Sequence, residues 1–132
     1  MRPAPGHEPP IRVLIADDHQ LFAQALEAIL APERDVDVVG YARDGNQAVE
    51  LARSLSPDVI LMDISMPGLD GIEATRLILA EPTHTRVLIL TGSNARIDID
   101  RSRAAGAAGY VTKDRIAAEL IDAIVEVAGR PG

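Results

Sequence analysis

The chain contains no cysteine, which excludes a disulfide framework, a thiolate zinc site and a cysteine nucleophile. Aromatic residues are scarce, with only Phe22, Tyr41 and Tyr110 present, so each calls for a specific reason. No apolar run approaches the roughly 20 residues that cross a bilayer. The opening MRPAPGHEPP also lacks the apolar stretch of a secretory leader. A cytoplasmic protein with no membrane partner is therefore expected. Basic residues are in short supply as well: 13 Lys and Arg stand against 20 Asp and Glu, for a formal charge of −7. Such a domain repels phosphate backbones, so this segment is expected to bind no nucleic acid.

What is present is a regular alternation. Residues 1–10 carry Pro3, Pro5, Pro9 and Pro10 and are expected to form a disordered, proline-rich tail. From Ile11 onward, strands are predicted at 11–16, 36–42, 58–63, 86–91 and 109–112. Helices are predicted at 19–31, 44–55, 70–80, 95–105 and 115–128. Leu21, Phe22, Ala25, Leu26, Ile29 and Leu30 are assigned to one face of the first helix, which Pro32 ends. Asp44 with Gln47 and Asp70 with Glu73 are candidate capping boxes, and Asp114 is a candidate N-cap for the last helix. The fourth helix is the weakest, because Ile97 and Ile99 sit among Arg96, Asp98, Asp100, Arg101 and Arg103.

Alternating strands and helices of these lengths imply right-handed βαβ units and a parallel sheet. Val59 to Met62 and Val87 to Leu90 are continuously apolar, as strands covered on both faces must be. The mixed run Val36-Asp37-Val38-Val39 suits an edge. The predicted fold is thus α/β: a doubly wound, five-stranded parallel sheet of order 2-1-3-4-5, flavodoxin-like, with five helices. Ligands in that architecture bind beyond the strand ends, where the order reverses between the first and third strands.

The strand ends carry the chemistry. Strand one ends in Asp17-Asp18, strand three in Asp63, strand four in Thr91 and strand five in Thr112-Lys113. In a parallel sheet these groups meet at one edge. Clustered carboxylates repel one another, and a hard cation relieves that repulsion. Mg²⁺ suits such an oxygen set, with Asp18 and Asp63 as direct ligands, Asp17 direct or through water, and the Ser65 backbone carbonyl as a further oxygen. A carboxylate can attack phosphorus to form an acyl phosphate. Asp63, between the metal acids and Lys113, is the nucleophile in this reading; Lys113 neutralises phosphoryl oxygens and the Thr91 hydroxyl donates to one. Each residue alone has a plainer reading: an Asp after a strand forms a turn or cap, and acid at a helix start complements the dipole. Their joint placement carries the argument.

The segments LIADDH, VILMDISMPGLDGIEA, LILTG and GAAGYVTKD resemble the receiver domain of bacterial two-component response regulators, over about residues 11–129. DDH and GAAGYVTKD resemble the subfamily with a LuxR-type DNA-binding output. The resemblance implies that a sensor histidine kinase transfers a phosphoryl group to Asp63, with Mg²⁺ required. The domain would then be a regulatory phosphoacceptor rather than an enzyme. Thr91 and Tyr110 match the family's switch pair, and transcription regulation is the expected output. This sequence departs from the family pattern in its polar fourth helix, with Asp100 at a usually apolar position. It also has Asp114 where the wider superfamily often has proline after the lysine. Residues 130–132 are expected to be a linker start or a terminus.

Two alternatives stay open at this point. A haloacid-dehalogenase-like phosphohydrolase also uses Asp and Mg²⁺, but wants a DxD arrangement after its first strand, which Asp17-Asp18 lacks. A phosphate-independent interaction module would have no need of the full acid, Thr and Lys set. His19 is expected to face solvent at a helix start, and His7 and His84 have no metal-ligand spacing. Ile121 and Val125, off the main stripe of the last helix, offer an apolar patch for a homodimer formed on phosphorylation.

Overall fold

The computed structural model describes residues 9–92 and 96–129. The expectations for the tail through residue 8, including His7, and for 130–132 concern residues outside that range, as does the start of the fourth helix at Ala95. The strands are β1 (Ile11–Ala16), β2 (Val36–Ala42), β3 (Val59–Asp63), β4 (Arg86–Thr91) and β5 (Gly109–Thr112). The helices are α1 (Gln20–Leu30), α2 (Gly45–Leu55), α3 (Gly71–Leu79), α4 (Arg96–Ala104) and α5 (Ile116–Val127). All strand pairs are parallel, in the order β2-β1-β3-β4-β5. The fold is the flavodoxin-like one that the alternation predicts.

Alternation within the strands builds two cores. Val13, Ile15, Val59, Leu61, Leu88 and Leu90 face one side, where Leu26 and Leu30 of α1 and Ile116, Leu120 and Ile124 of α5 cover them. Leu14, Ala16, Ile60, Met62, Val87 and Ile89 face the other, under Ala48 and Ala52 of α2 and Ala74 and Ile78 of α3. Successive residues of a strand point to opposite faces, so the buried runs Val59–Met62 of β3 and Val87–Leu90 of β4 need apolar residues at every position. Fully burying each large aliphatic chain contributes about 1.5–3 kcal/mol. The strands therefore fix the sheet, and the sheet fixes where their ends lie.

Helix caps place the loops at that end. Asp44 accepts the Gln47 backbone N–H at 2.8 Å, while Gln47 accepts that of Arg43 at 2.7 Å, a reciprocal cap shifted one residue outward. Asp70 accepts the Glu73 backbone N–H at 2.8 Å, but the Glu73 carboxylate turns to Arg76 instead of reaching back. At the opposite end of the sheet, Arg12 donates to the Leu55 and Ser56 carbonyls at 2.7 and 3.0 Å, a cation satisfying the C-terminus of α2.

Three local expectations need correction. Leu21 is 81% exposed and Ala25 is exposed too. The six apolar residues assigned to one face of α1 span more arc than one contact covers, so Phe22, Leu26, Ile29 and Leu30 turn inward and Leu21 does not. Asp114 does not cap α5. It lies in a 3₁₀ turn, Lys113–Arg115, and Arg115 precedes the helix with no side-chain cap. That tighter turn, which carries Lys113 toward the sheet edge, delays the start of α5. Finally, Ile121 and Val125 are half-buried against the α1/α5 core rather than forming a free patch. The weakness of α4 is as expected: Ser102 is its only buried residue.

Candidate functional site

Asp63 continues the facing of Val59 and Leu61 and so lies on the α1/α5 side of the sheet. It is 1% exposed. Its Oδ1 receives the Lys113 ammonium at 3.2 Å and the Ser65 backbone N–H at 3.3 Å. Its Oδ2 is buried and, among the described residues, has no hydrogen-bond partner. Asp17 extends β1: its backbone N–H donates to Ala42 O at 2.9 Å, and its Oδ1 accepts the His19 N–H at 2.7 Å. Its Oδ2 is likewise buried and without a partner among the described residues. Two such oxygens at the ends of the neighbouring strands β1 and β3 are costly, and a hard cation would satisfy both.

The carboxylates of Asp17, Asp18 and Asp63, together with a His19 ring nitrogen, present ligand atoms within 4.8 Å of one another. Burial raises the Asp17 pKa, and the nearby Asp63 charge adds to that; the His19 N–H, Lys113 and His19 oppose it. His19 is exposed, as expected, yet its Nδ1 stands 3.2 Å from Asp18. Solvent exposure and membership of the cluster prove compatible at a helix start.

Thr91 ends β4, buried, one residue beyond the Asp63–Leu90 register and directly opposite Thr112 of β5. By alternation it shares its side with Ile89, facing the α2/α3 layer. Tyr110 pairs with Ile89 and stands on that same side, 38% exposed. The two proposed switch residues are thus diagonal neighbours on one face of the sheet, opposite the face of Asp63.

The sequence matches the response regulator receiver domain family over residues 13–125. The chain belongs to this family. It is 46% identical over 117 residues to the transcriptional regulatory protein LiaR of Bacillus subtilis (strain 168), a match covering 86% of this chain and 54% of LiaR. Thus the chain spans about half the length of the curated relatives it matches. The receiver domain of the putative response regulator NarL from Mycobacterium tuberculosis superposes with a TM-score of 0.88 at 34% identity, covering 92% of this chain and 98% of that one. A chain of the CheX-CheY-BeF3-Mg²⁺ complex from Borrelia burgdorferi superposes with a TM-score of 0.82 at 25% identity, with 90% of each chain covered. This receiver has no helix among the described residues long and apolar enough to cross a membrane.

Three features of this receiver escape sequence reasoning. The Phe22 ring lies under Lys113, with Nζ 4.6 Å from its centroid; only the rarity of phenylalanine hinted at it. Gly71 and Gly45 begin α3 and α2, and each clamps the β3–α3 loop. A Cβ on Gly71 would stand 2.1 Å from the Asp63 carbonyl oxygen, and one on Gly45 2.1 Å from that of Leu69. The repeated Asp-Gly at two helix starts was the available signal. Tyr41 donates to Glu27 beside a cleft of about 360 Å³ that also touches Asp17, Asp18 and Arg43. Burial and that hydrogen bond push the Tyr41 pKa up to about 12, so the phenol stays neutral.

Proposed function

We propose that this receiver is a phosphoacceptor switch that takes a phosphoryl group from a sensor histidine kinase onto Asp63 and relays the resulting state. The observation that carries this reading is the buried Asp63 carboxylate, whose Oδ1 is held by Lys113 and Ser65 while Oδ2 has no partner among the described residues. In the transfer, a carboxylate oxygen of Asp63 forms a bond to phosphorus as the donor's N–P bond breaks, and the leaving imidazole keeps the electron pair. Lys113 stands where phosphoryl oxygens gather charge, and fixed charge there favours the transition state. Thr91 would donate its hydroxyl to one of those oxygens, and its movement would draw Tyr110 after it.

Asp17, Asp18, Asp63 and the Ser65 carbonyl would hold Mg²⁺, and the paired orphan oxygens support that fit. Bound there, the ion would neutralise phosphoryl charge and offset the repulsion among the acids. The similarity to a chain of the CheX-CheY-BeF3-Mg²⁺ complex from Borrelia burgdorferi supports the same assignment. Relatives named as transcriptional regulators support a cytoplasmic role in transcription regulation, exerted through an output domain or partner rather than by nucleic acid binding to this acidic segment.

The test is intact mass after incubation with acetyl phosphate and Mg²⁺. One phosphoryl addition is expected on wild type, and none on Asp63→Asn or in excess chelator. Addition that persists on Asp63→Asn would place the acceptor elsewhere.

A further inference from the structure

Nothing in the transfer chemistry above uses Phe22, the chain's single phenylalanine. It projects from α1, half-buried against the core shared with α5. The ammonium it underlies is the one 3.2 Å from Asp63, so Lys113 has two supports, a carboxylate on β3 and a ring on α1. The Lys113 side chain is 28% exposed, and a flexible side chain at the rim of a site loses orientation readily.

The two supports differ in kind. The carboxylate accepts N–H donors, whereas the ring attracts the cation through its quadrupole and accepts none in the ordinary sense. An ammonium has three donors and no acceptor. Support from a π face therefore leaves its N–H groups available to anionic oxygens. Once Asp63 carries a phosphoryl group, its carboxylate has lost its charge to the acyl linkage, and the pull on Lys113 from that side changes. The pull from Phe22 does not.

We propose that Phe22 is a positioning residue for phosphoryl acceptance, its π face holding the Lys113 ammonium at the sheet edge while the Asp63 contact gives way to a phosphoryl oxygen. The inference rests on the reading of Asp63 as phosphoacceptor. It adds that α1 supplies part of the site's electrostatics, and that an aliphatic residue filling the same volume does not replace it.

Because the chain has one phenylalanine, growth on fluorinated phenylalanines alters this ring alone. Fluorine preserves shape and adds hydrophobicity but withdraws the negative charge of the face, so a ring that only fills space is indifferent or benefits. The rate of phosphorylation by acetyl phosphate in Mg²⁺ is expected to fall with each of one, two and three fluorines. The total loss should be on the order of threefold to tenfold. Phe22→Tyr should keep most of the rate, and Phe22→Leu should resemble the trifluoro ring. In Lys113→Met the fluorine series should be flat.

Urea unfolding of the same set reads the contact without reference to phosphate: fluorine should lower stability with Lys113 present and not in Lys113→Met. A flat rate series on a wild type that accepts phosphate overturns the proposal, even if the unfolding data show coupling. If the wild type accepts no phosphate, both readings fall, and the unfolding data then tell whether the ring–ammonium contact stands as a structural one.

Discussion

Gly71→Ala tests how tightly the site is tied to the packing beneath it. The added Cβ would lie 2.1 Å from the Asp63 carbonyl oxygen, 2.9 Å from its carbon and 3.0 Å from Met62 Cγ. Two of these three neighbours are backbone, so no rotamer change relieves the contact. Either α3 or the end of β3 must retreat by about 1 Å, and overpacking of this kind costs roughly 1–3 kcal/mol. Replacing glycine by alanine in a helix favours folding by up to about 1 kcal/mol, but the first turn realises little of that. The clash wins, and a net destabilisation of about 2 kcal/mol is expected in urea unfolding. Because the displaced atom belongs to Asp63 itself, phosphorylation by acetyl phosphate should fall on the order of 100-fold, the effect of a 1 Å misplacement of reacting groups. Gly68→Ala is the control: Gly68 has φ +70° and open space around its Cβ position, so it should lose about 1 kcal/mol to backbone strain with little change in rate. A Gly71→Ala protein as stable as wild type and phosphorylated at its rate would refute the claim that this helix start sets the position of Asp63.

Further outcomes follow from other residues. The raised pKa of Asp17 means that its contribution favours folding fully below its ordinary value near 3.8 and is lost as pH rises through the raised value. Added Mg²⁺ should therefore stabilise the domain less as the pH is lowered toward 3.8, measured by thermal unfolding, and a gain that does not change as the pH falls would contradict the assigned proton competition. Ser56 ends α2 with φ 45°, so Ser56→Gly should stabilise by about 1 kcal/mol in urea unfolding; a loss would mean that the hydroxyl has an unrecognised role. Amide hydrogen exchange should be fastest, among the helices, in α4, which buries only Ser102. Phosphorylation should favour a weak two-fold dimer on α1, where Leu21 is exposed, and Leu21→Asp, which leaves the core intact, should weaken it in sedimentation. A dimer indifferent to that change would put the interface elsewhere.

The sheet was legible because burial on both faces leaves Val59–Met62 and Val87–Leu90 no polar positions, and polar residues appear only at the strand ends, at Arg86, Asp63 and Thr91. Asp44 and Asp70 were legible because a cap acts over three residues of chain. The details that escaped depend on rotation or on distance along the chain. Leu21 and Phe22 are neighbours of similar apolarity, and only the docking angle of α1 decides which one turns inward. Phe22 and Lys113 belong to opposite ends of the sequence, so no local pattern could pair them. Asp114 looked like a cap because it precedes an amphipathic run, but tethering Lys113 to Asp63 winds that residue into the 3₁₀ turn instead. His19, expected to face solvent at a helix start, does so and still reaches Asp18, because the residue that precedes the first turn can be both exposed and part of the cluster.

The division of the sheet into two cores has a genetic corollary. Lys113's surroundings draw on α1 and α5, whereas Tyr110 shares its side of the sheet with the layer under α2 and α3. Side chains of the two layers are separated by the sheet, whose central strand β3 is buried throughout. Substitutions in opposite layers should therefore combine with additive free energies, within a few tenths of a kcal/mol. Pairs within one layer should not. Departures from additivity across the sheet are expected only for pairs that include Asp63 or Thr91, whose strand ends are the places where the partition stops. A lineage could thus retune how the domain receives its signal and how it presents it by separate mutational routes, each leaving the other's packing untouched.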